Sequence, residues 1–120
     1  MILSNLALEM EGILGKERVD SFIPTVIHEV MDIFLQPDSG LILENVNPDG
    51  SFCDSFEGRL LNPGHTLEAM WFVMDLALRI GDHPLIEKCR DVMLRTLDFG
   101  WDKEFGGILY FLDIKGHPPQ

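Results

Sequence analysis

The chain has 120 residues, 46% of them hydrophobic, and carries 20 acidic against 9 basic side chains for a formal net charge of -11. This is the composition of a folded protein with room for one hydrophobic core. So acidic a surface repels nucleic acid and anionic lipid, and no stretch approaches the roughly 20 apolar residues of a membrane span, so neither nucleic acid nor membrane is an expected partner.

Residues 2–14 show helical spacing at Leu3, Leu6, Met10 and Ile13, with Gly15 as a stop. A second helix is predicted from about Val19 to Leu35, with Val19, Phe22, Ile23, Val26, Ile27, Val30, Ile33 and Phe34 forming a broad apolar stripe. Ser21 as its N-cap would place Pro24 in the first turn, where a missing N–H is harmless. Pro37-Asp38-Ser39-Gly40 ends it. Leu41 to Val46 reads as a short strand, Asn47-Pro48-Asp49-Gly50 as a turn, and residues 51–61 as irregular. A third helix starts at Asn62-Pro63-Gly64-His65 and runs to about Ile80, with Leu67, Met70, Trp71, Met74, Ala77 and Leu78 predicted to face inward. Gly81 stops it, Asp82 caps a fourth helix that closes at Gly100, and Gly106-Gly107 opens a strand reaching Asp113. The result is two helical hairpins with extended connections, the repeating unit of α/α toroids and solenoids.

The two cysteines, Cys53 and Cys89, have no CxxC spacing and read as reduced thiols. Met1-Ile2-Leu3-Ser4 lacks the basic stretch that opens a signal peptide, and a cytoplasmic location is expected. His65 falls in the first turn of the third helix with Glu68 three residues on, so both project to one side. A carboxylate there can orient an imidazole for proton abstraction and return. The same spacing is equally ordinary helix-start chemistry. His28 reads as a solvated or core-edge residue, His83 as exposed and His117 as tail or loop. No HxxxH, HExxH or Cys/His ligand spacing supports a metal, and no glycine-rich nucleotide loop is present. Arg59 could hold a substrate oxygen or a buried carboxylate such as Glu68. Trp71, Trp101 and Tyr110 could stack on a sugar ring or belong to the core.

Two stretches carry a resemblance. Gly58-Arg59-Leu60-Leu61-Asn62-Pro63-Gly64-His65-Thr66-Leu67-Glu68-Ala69-Met70-Trp71-Phe72 resembles the GR-x-x-NPGH-x-x-E-A-x-W-F segment of the N-acylglucosamine 2-epimerase and renin-binding protein family. Gly100-Trp101-Asp102-Lys103-Glu104-Phe105-Gly106-Gly107-Ile108-Leu109-Tyr110-Phe111-Leu112-Asp113 is similar to the family's G-W-D-x-x-x-G-G-x-x-Y-F-x-D segment, and Leu43-Glu44-Asn45-Val46 is similar as well. The resemblance implies an all-α fold: residues 1–120 as one partial domain, about four helices of an (α/α)6 barrel with short hairpin-like loops, without the family's N-terminal and C-terminal helices. It implies a sugar 2-epimerase that interconverts N-acetylglucosamine and N-acetylmannosamine by removing and returning the C2 proton. His65 and Glu68 then match the catalytic histidine and its accompanying glutamate, and Arg59, Trp71 and Tyr110 are the candidate substrate contacts. No metal or redox cofactor is implied, and ATP enters only as an effector of some members.

The family's second histidine falls beyond Gln120, so the chain by itself is expected to be inactive. Its expected partners are a small sugar and either a second copy or a complementing piece that covers exposed helix faces. A non-catalytic helical interaction module is the alternative.

Overall fold

The computed structural model of the chain describes residues 2–118, with side chains from Asn5 onward, so the inward position expected for Leu3 lies outside the described residues. The fold is predominantly helical, with one two-stranded sheet. Helix α1 spans Ile2–Glu9 and α2 spans Glu11–Leu14. The single helix expected here breaks at Met10, whose φ of -88° and ψ of 8° leave the helical region. The break swings Ile13, expected to face inward, out into solvent at 82% exposure.

Helix α3, Lys16–His28, starts earlier than expected. Gly15, at φ 82°, makes the turn out of α2, and Lys16 pairs with Asp20 one turn on at 2.8 Å. Ser21 is therefore an interior residue whose hydroxyl donates to the Arg18 carbonyl at 2.7 Å, not an N-cap. Pro24 consequently sits inside the helix, on its exposed side. The chain continues as a π-helical turn, Glu29–Phe34, closed by the Leu35 N–H donating to the Val30 carbonyl at 3.1 Å.

The strand expected at Leu41 to Val46 shrinks to an isolated bridge between Leu35 and Ile42. The true strand β1 is Leu60–Leu61, antiparallel to β2, Leu112–Asp113. The segment before β2 is not a continuous strand, because Gly106 and Gly107 adopt φ 76° and 97° and a separate bridge joins Trp101 to Ile108. The turn at Asn47–Gly50 forms as expected, with the Gly50 N–H on the Asn47 carbonyl at 2.8 Å.

Helices α4, Pro63–Ile80, and α5, His83–Gly100, have the predicted bounds. Gly81 ends α4 in the left-handed region at φ 74°, and Asp82 caps α5 by accepting from the Leu85 N–H at 3.0 Å. The tight turn between them makes an αα-hairpin, the most extensive helix pairing in the structure. The main core lies where α3, the π turn, α4 and α5 meet, around Ile23, Met31, Met70, Val73, Leu76 and Cys89. On α4 the buried positions are Pro63, Thr66, Ala69, Met70, Phe72, Val73, Leu76 and Ala77. Trp71 and Leu78, expected to face inward, are 46% and 61% exposed. The reason is that α4 packs on α1 and α5 together, which turns its buried face away from these two residues. Beneath the sheet a smaller cluster joins Leu41, Leu43 and Leu61 to Leu112 and Ile114.

Candidate functional site

His65 owes its place to the first turn of α4. Pro63 supplies a fixed φ at the helix start, and the Asn62 side-chain oxygen accepts from the His65 backbone N–H at 3.2 Å. Pro63 in turn rests on the end of α5: a Cβ at Gly100 would lie 2.6 Å from Pro63 Cγ, a separation open only to glycine. The glycine that opens one recognisable sequence stretch thus seats the start of α4 inside the other. The two stretches are one structural unit.

The imidazole leaves this helix end half-exposed and meets Glu44. Nδ1 lies 3.1 Å from one carboxylate oxygen and 3.0 Å from the other. Glu44 is anchored by its own backbone, whose N–H donates to the Leu60 carbonyl on β1 at 2.9 Å. From the other side the Phe111 ring approaches edge-on, with centroids 6.4 Å apart and an interplanar angle of 87°. His65 and Glu44 border a cleft of about 170 Å³ whose floor is apolar, from Val30, Phe34, Ile42 and Ala69, and which also takes in Glu29 and Thr66. Part of that lining comes from the π turn, a geometry often found at functional sites. An imidazole beside an apolar recess, with one nitrogen engaged by a carboxylate, is equipped to accept and return a proton.

The other predicted site residues fall in three places. Glu68 is half-exposed on α4 and has no hydrogen-bond or ion-pair partner among the described residues. It therefore does not orient His65, whose carboxylate is Glu44. The loop bearing Glu44 is tied to β1 by the Glu44 backbone N–H, which brings that carboxylate onto the imidazole. Arg59 does not reach Glu68 either. Its Nε donates to Asp113 at 2.8 Å and its Nη1 to Asp54 at 3.2 Å, so the guanidinium ties β1 to β2 and to the preceding loop. This pairing raises Arg59 above the ordinary guanidinium range, with the Asp113 bond as the main cause. Burial pushes the Asp113 carboxyl up, but Arg59 and the Lys115 backbone N–H outweigh it and hold the group below its usual value. Trp71 packs with its ring tilted against its neighbour Phe72, centroids 4.4 Å apart, and does not line the cleft. Tyr110 is 74% exposed and packs edge-on at 4.7 Å against Phe111, which puts it one ring away from His65. Among the predicted site residues the structure therefore brings Tyr110 toward His65, by way of Phe111, and leaves Arg59 and Trp71 apart.

Glu44 and Phe111 are the residues that residue-by-residue reading missed. Glu44 lies inside the Leu43–Val46 stretch that resembles the family, and Phe111 follows Tyr110. The three remaining histidines, His28, His83 and His117, are exposed as expected, with His28 paired to Asp32 at 2.9 Å. Cys53 and Cys89 are free thiols, and burial raises Cys89 to about 11. No helix of the described residues is long and apolar enough to cross a membrane.

The family model for N-acylglucosamine 2-epimerase (GlcNAc 2-epimerase) matches residues 1–120. The chain is 43% identical to the N-acylglucosamine 2-epimerase of Mus musculus over 94 residues, covering 78% of this chain and 22% of that protein. It is 39% identical to the Rattus norvegicus protein of the same name over 117 residues, covering 94% of the chain and 27% of the relative. For the Bos taurus protein the identity is 43% over 79 residues, or 65% of the chain and 19% of the relative. The chain thus spans about a quarter or less of the length of these curated relatives. The match along the whole chain, together with the joined Asn62–His65 and Gly100 units, shows that the chain belongs to the N-acylglucosamine 2-epimerase family.

Proposed function

We propose that this chain supplies one face of a carbohydrate 2-epimerase site, with His65 as the group that removes or returns the proton at C2 of a ring-opened sugar. The observation that carries this reading is the placement of the His65 imidazole at the rim of an apolar-floored cleft, in the motif that matches the family. In the step proposed, the C2–H bond breaks and its proton passes to His65. The electron pair forms the C1=C2 double bond, and the carbonyl oxygen takes the negative charge, giving an enediol-like species. Return of a proton to the opposite face inverts C2. Among the described residues no second histidine lines the cleft, since His28, His83 and His117 lie elsewhere, and we assign the second histidine to protein beyond this chain. The reaction is redox-neutral, so side chains alone can carry it.

N-acetylglucosamine and N-acetylmannosamine are the substrate pair proposed, after the relatives' name. Glu68, free of partners among the described residues, and Tyr110 are the groups we place against the sugar hydroxyls and ring face. A cytoplasmic location, and ATP acting at most as an effector elsewhere in the protein, complete the proposal. Exposed apolar side chains such as Trp71, Leu78 and Leu94 are where further helices or a second copy would pack. The comparisons lend no support to the alternative of a non-catalytic interaction module.

The test is solvent-deuterium incorporation at C2, measured on an enzyme that contains this segment together with the length its relatives possess. Replacing His65 by Asn is expected to lower incorporation by at least about 100-fold, the low end of what a general base contributes. Unchanged incorporation would remove His65 from the chemistry.

A further inference from the structure

We infer that Glu44, and not Glu68, is the positioning residue of this site: it holds His65 as the Nδ1–H tautomer, so that Nε2 carries the free lone pair offered to substrate. The inference rests on the proton-transfer reading of His65 for its catalytic meaning, though the geometry behind it stands apart. Both Glu44 oxygens lie within 3.1 Å of Nδ1, so a neutral imidazole meeting an ionised carboxylate must place its one N–H there. The tautomer of a histidine is set by the hydrogen bond its other nitrogen makes.

The acid is itself held firmly. Its backbone N–H is fixed to the Leu60 carbonyl at 2.9 Å, and the Asn45 side-chain amide next to it donates to the Glu57 carbonyl at 3.2 Å. β1 therefore links Glu44 on one side to β2 on the other, and Phe111, adjoining β2, closes on the imidazole edge-on. Imidazole, acid and aromatic edge come from three separate stretches of chain that meet at one small sheet. Glu68, by contrast, makes no hydrogen bond to the imidazole among the described residues.

The experiment is long-range 1H–15N NMR on the 120-residue chain above the imidazole titration, where a protonated ring nitrogen and a bare one have well-separated 15N shifts. The wild-type chain is expected to show His65 with Nδ1 protonated and Nε2 bare. Glu44→Ala should return His65 to a majority of the Nε2–H form that an unconstrained histidine prefers. Glu44→Gln, whose amide oxygen still accepts from Nδ1–H, should keep the wild-type tautomer, and so should Glu68→Ala. A wild-type His65 that is already Nε2–H overturns the inference, even if Glu44→Ala does not fold. So does a tautomer that responds to Glu68→Ala and ignores Glu44→Ala. The reading of His65 as a C2 base fails separately, in the deuterium experiment, and its failure there would leave these spectra unchanged.

Discussion

Replacing Gly100 by alanine tests whether the end of α5 seats the first turn of α4, which carries His65. The added methyl would stand 2.6 Å from Pro63 Cγ and 2.9 Å from Pro63 Cβ. That is about 1 Å inside the roughly 3.5–4.0 Å separation of non-bonded carbons. A flexible side chain could swing aside, but the proline ring is closed on its own backbone at the first position of the helix. Overpacking of this kind costs about 1–3 kcal/mol, and a rigid partner places it in the upper half of that range. Gly100 has ordinary helical backbone, so alanine's helix preference returns at most about 1 kcal/mol. The net expectation is a loss of about 1–3 kcal/mol in urea unfolding followed by far-UV circular dichroism, or about 4 °C in Tm for each kcal/mol. Gly12→Ala in α2 is the control. No atom lies within 4 Å of its added Cβ, so it should leave stability unchanged or raise it by up to about 1 kcal/mol. A Gly100→Ala chain as stable as wild type would refute the proposed seat.

Three other outcomes follow from the same contacts. Asp20, Asp49, Asp54 and Asp113 are all held below their ordinary carboxylate values, by Lys16 and Arg79, by Ser51, by Lys115 and Arg59, and by Arg59 and the Lys115 N–H respectively. Depressed carboxylates contribute stability that is present above their unfolded pKa and lost as pH falls through the folded value, so stability should start to fall below about pH 4. Asp113→Asn should be less stable at neutral pH and lose less on acidification; an acid limb as steep as wild type would contradict this. Cys89 is fully buried and raised to about 11, so at pH 8 only on the order of 0.1% of it is thiolate, and a thiol reagent should modify Cys53 first and reach Cys89 only on unfolding. Equal rates for both thiols would count against the packing of α5 on α4. The chain alone should show no formation of N-acetylmannosamine in a coupled assay, because inversion needs donors on both faces of C2; full turnover would mean that a second base lies within it.

Helices α4 and α5 were legible residue by residue. Asn62, Pro63, Gly81, Asp82 and Pro84 act on backbone within a turn of their own positions, and such short-range chemistry survives any tertiary context. The same locality explains the errors. Ser21 is a good cap in isolation, but Gly15 started α3 earlier and left Pro24 inside the helix. The strands expected at residues 41–46 and 106–113 depended on partners, and only Leu60–Leu61 and Leu112–Asp113 found each other. The face of α4 was read as a single stripe, although a helix packed on two others buries a broader and rotated set of residues.

The sequence by itself determined the family, the helical hairpin of α4 and α5, and the histidine at its head, since all three are written in contiguous residues. Tertiary structure alone decided which acid that histidine meets. Glu68 is its neighbour along the helix, yet Glu44, 21 residues away, is the one within hydrogen-bond distance. Spacing along a helix limits which side chains share a flank, whereas contact across the fold is set by where a loop is pinned. Here the pin includes the backbone bond from Glu44 to β1, whose own place depends on a strand near the far end of the chain.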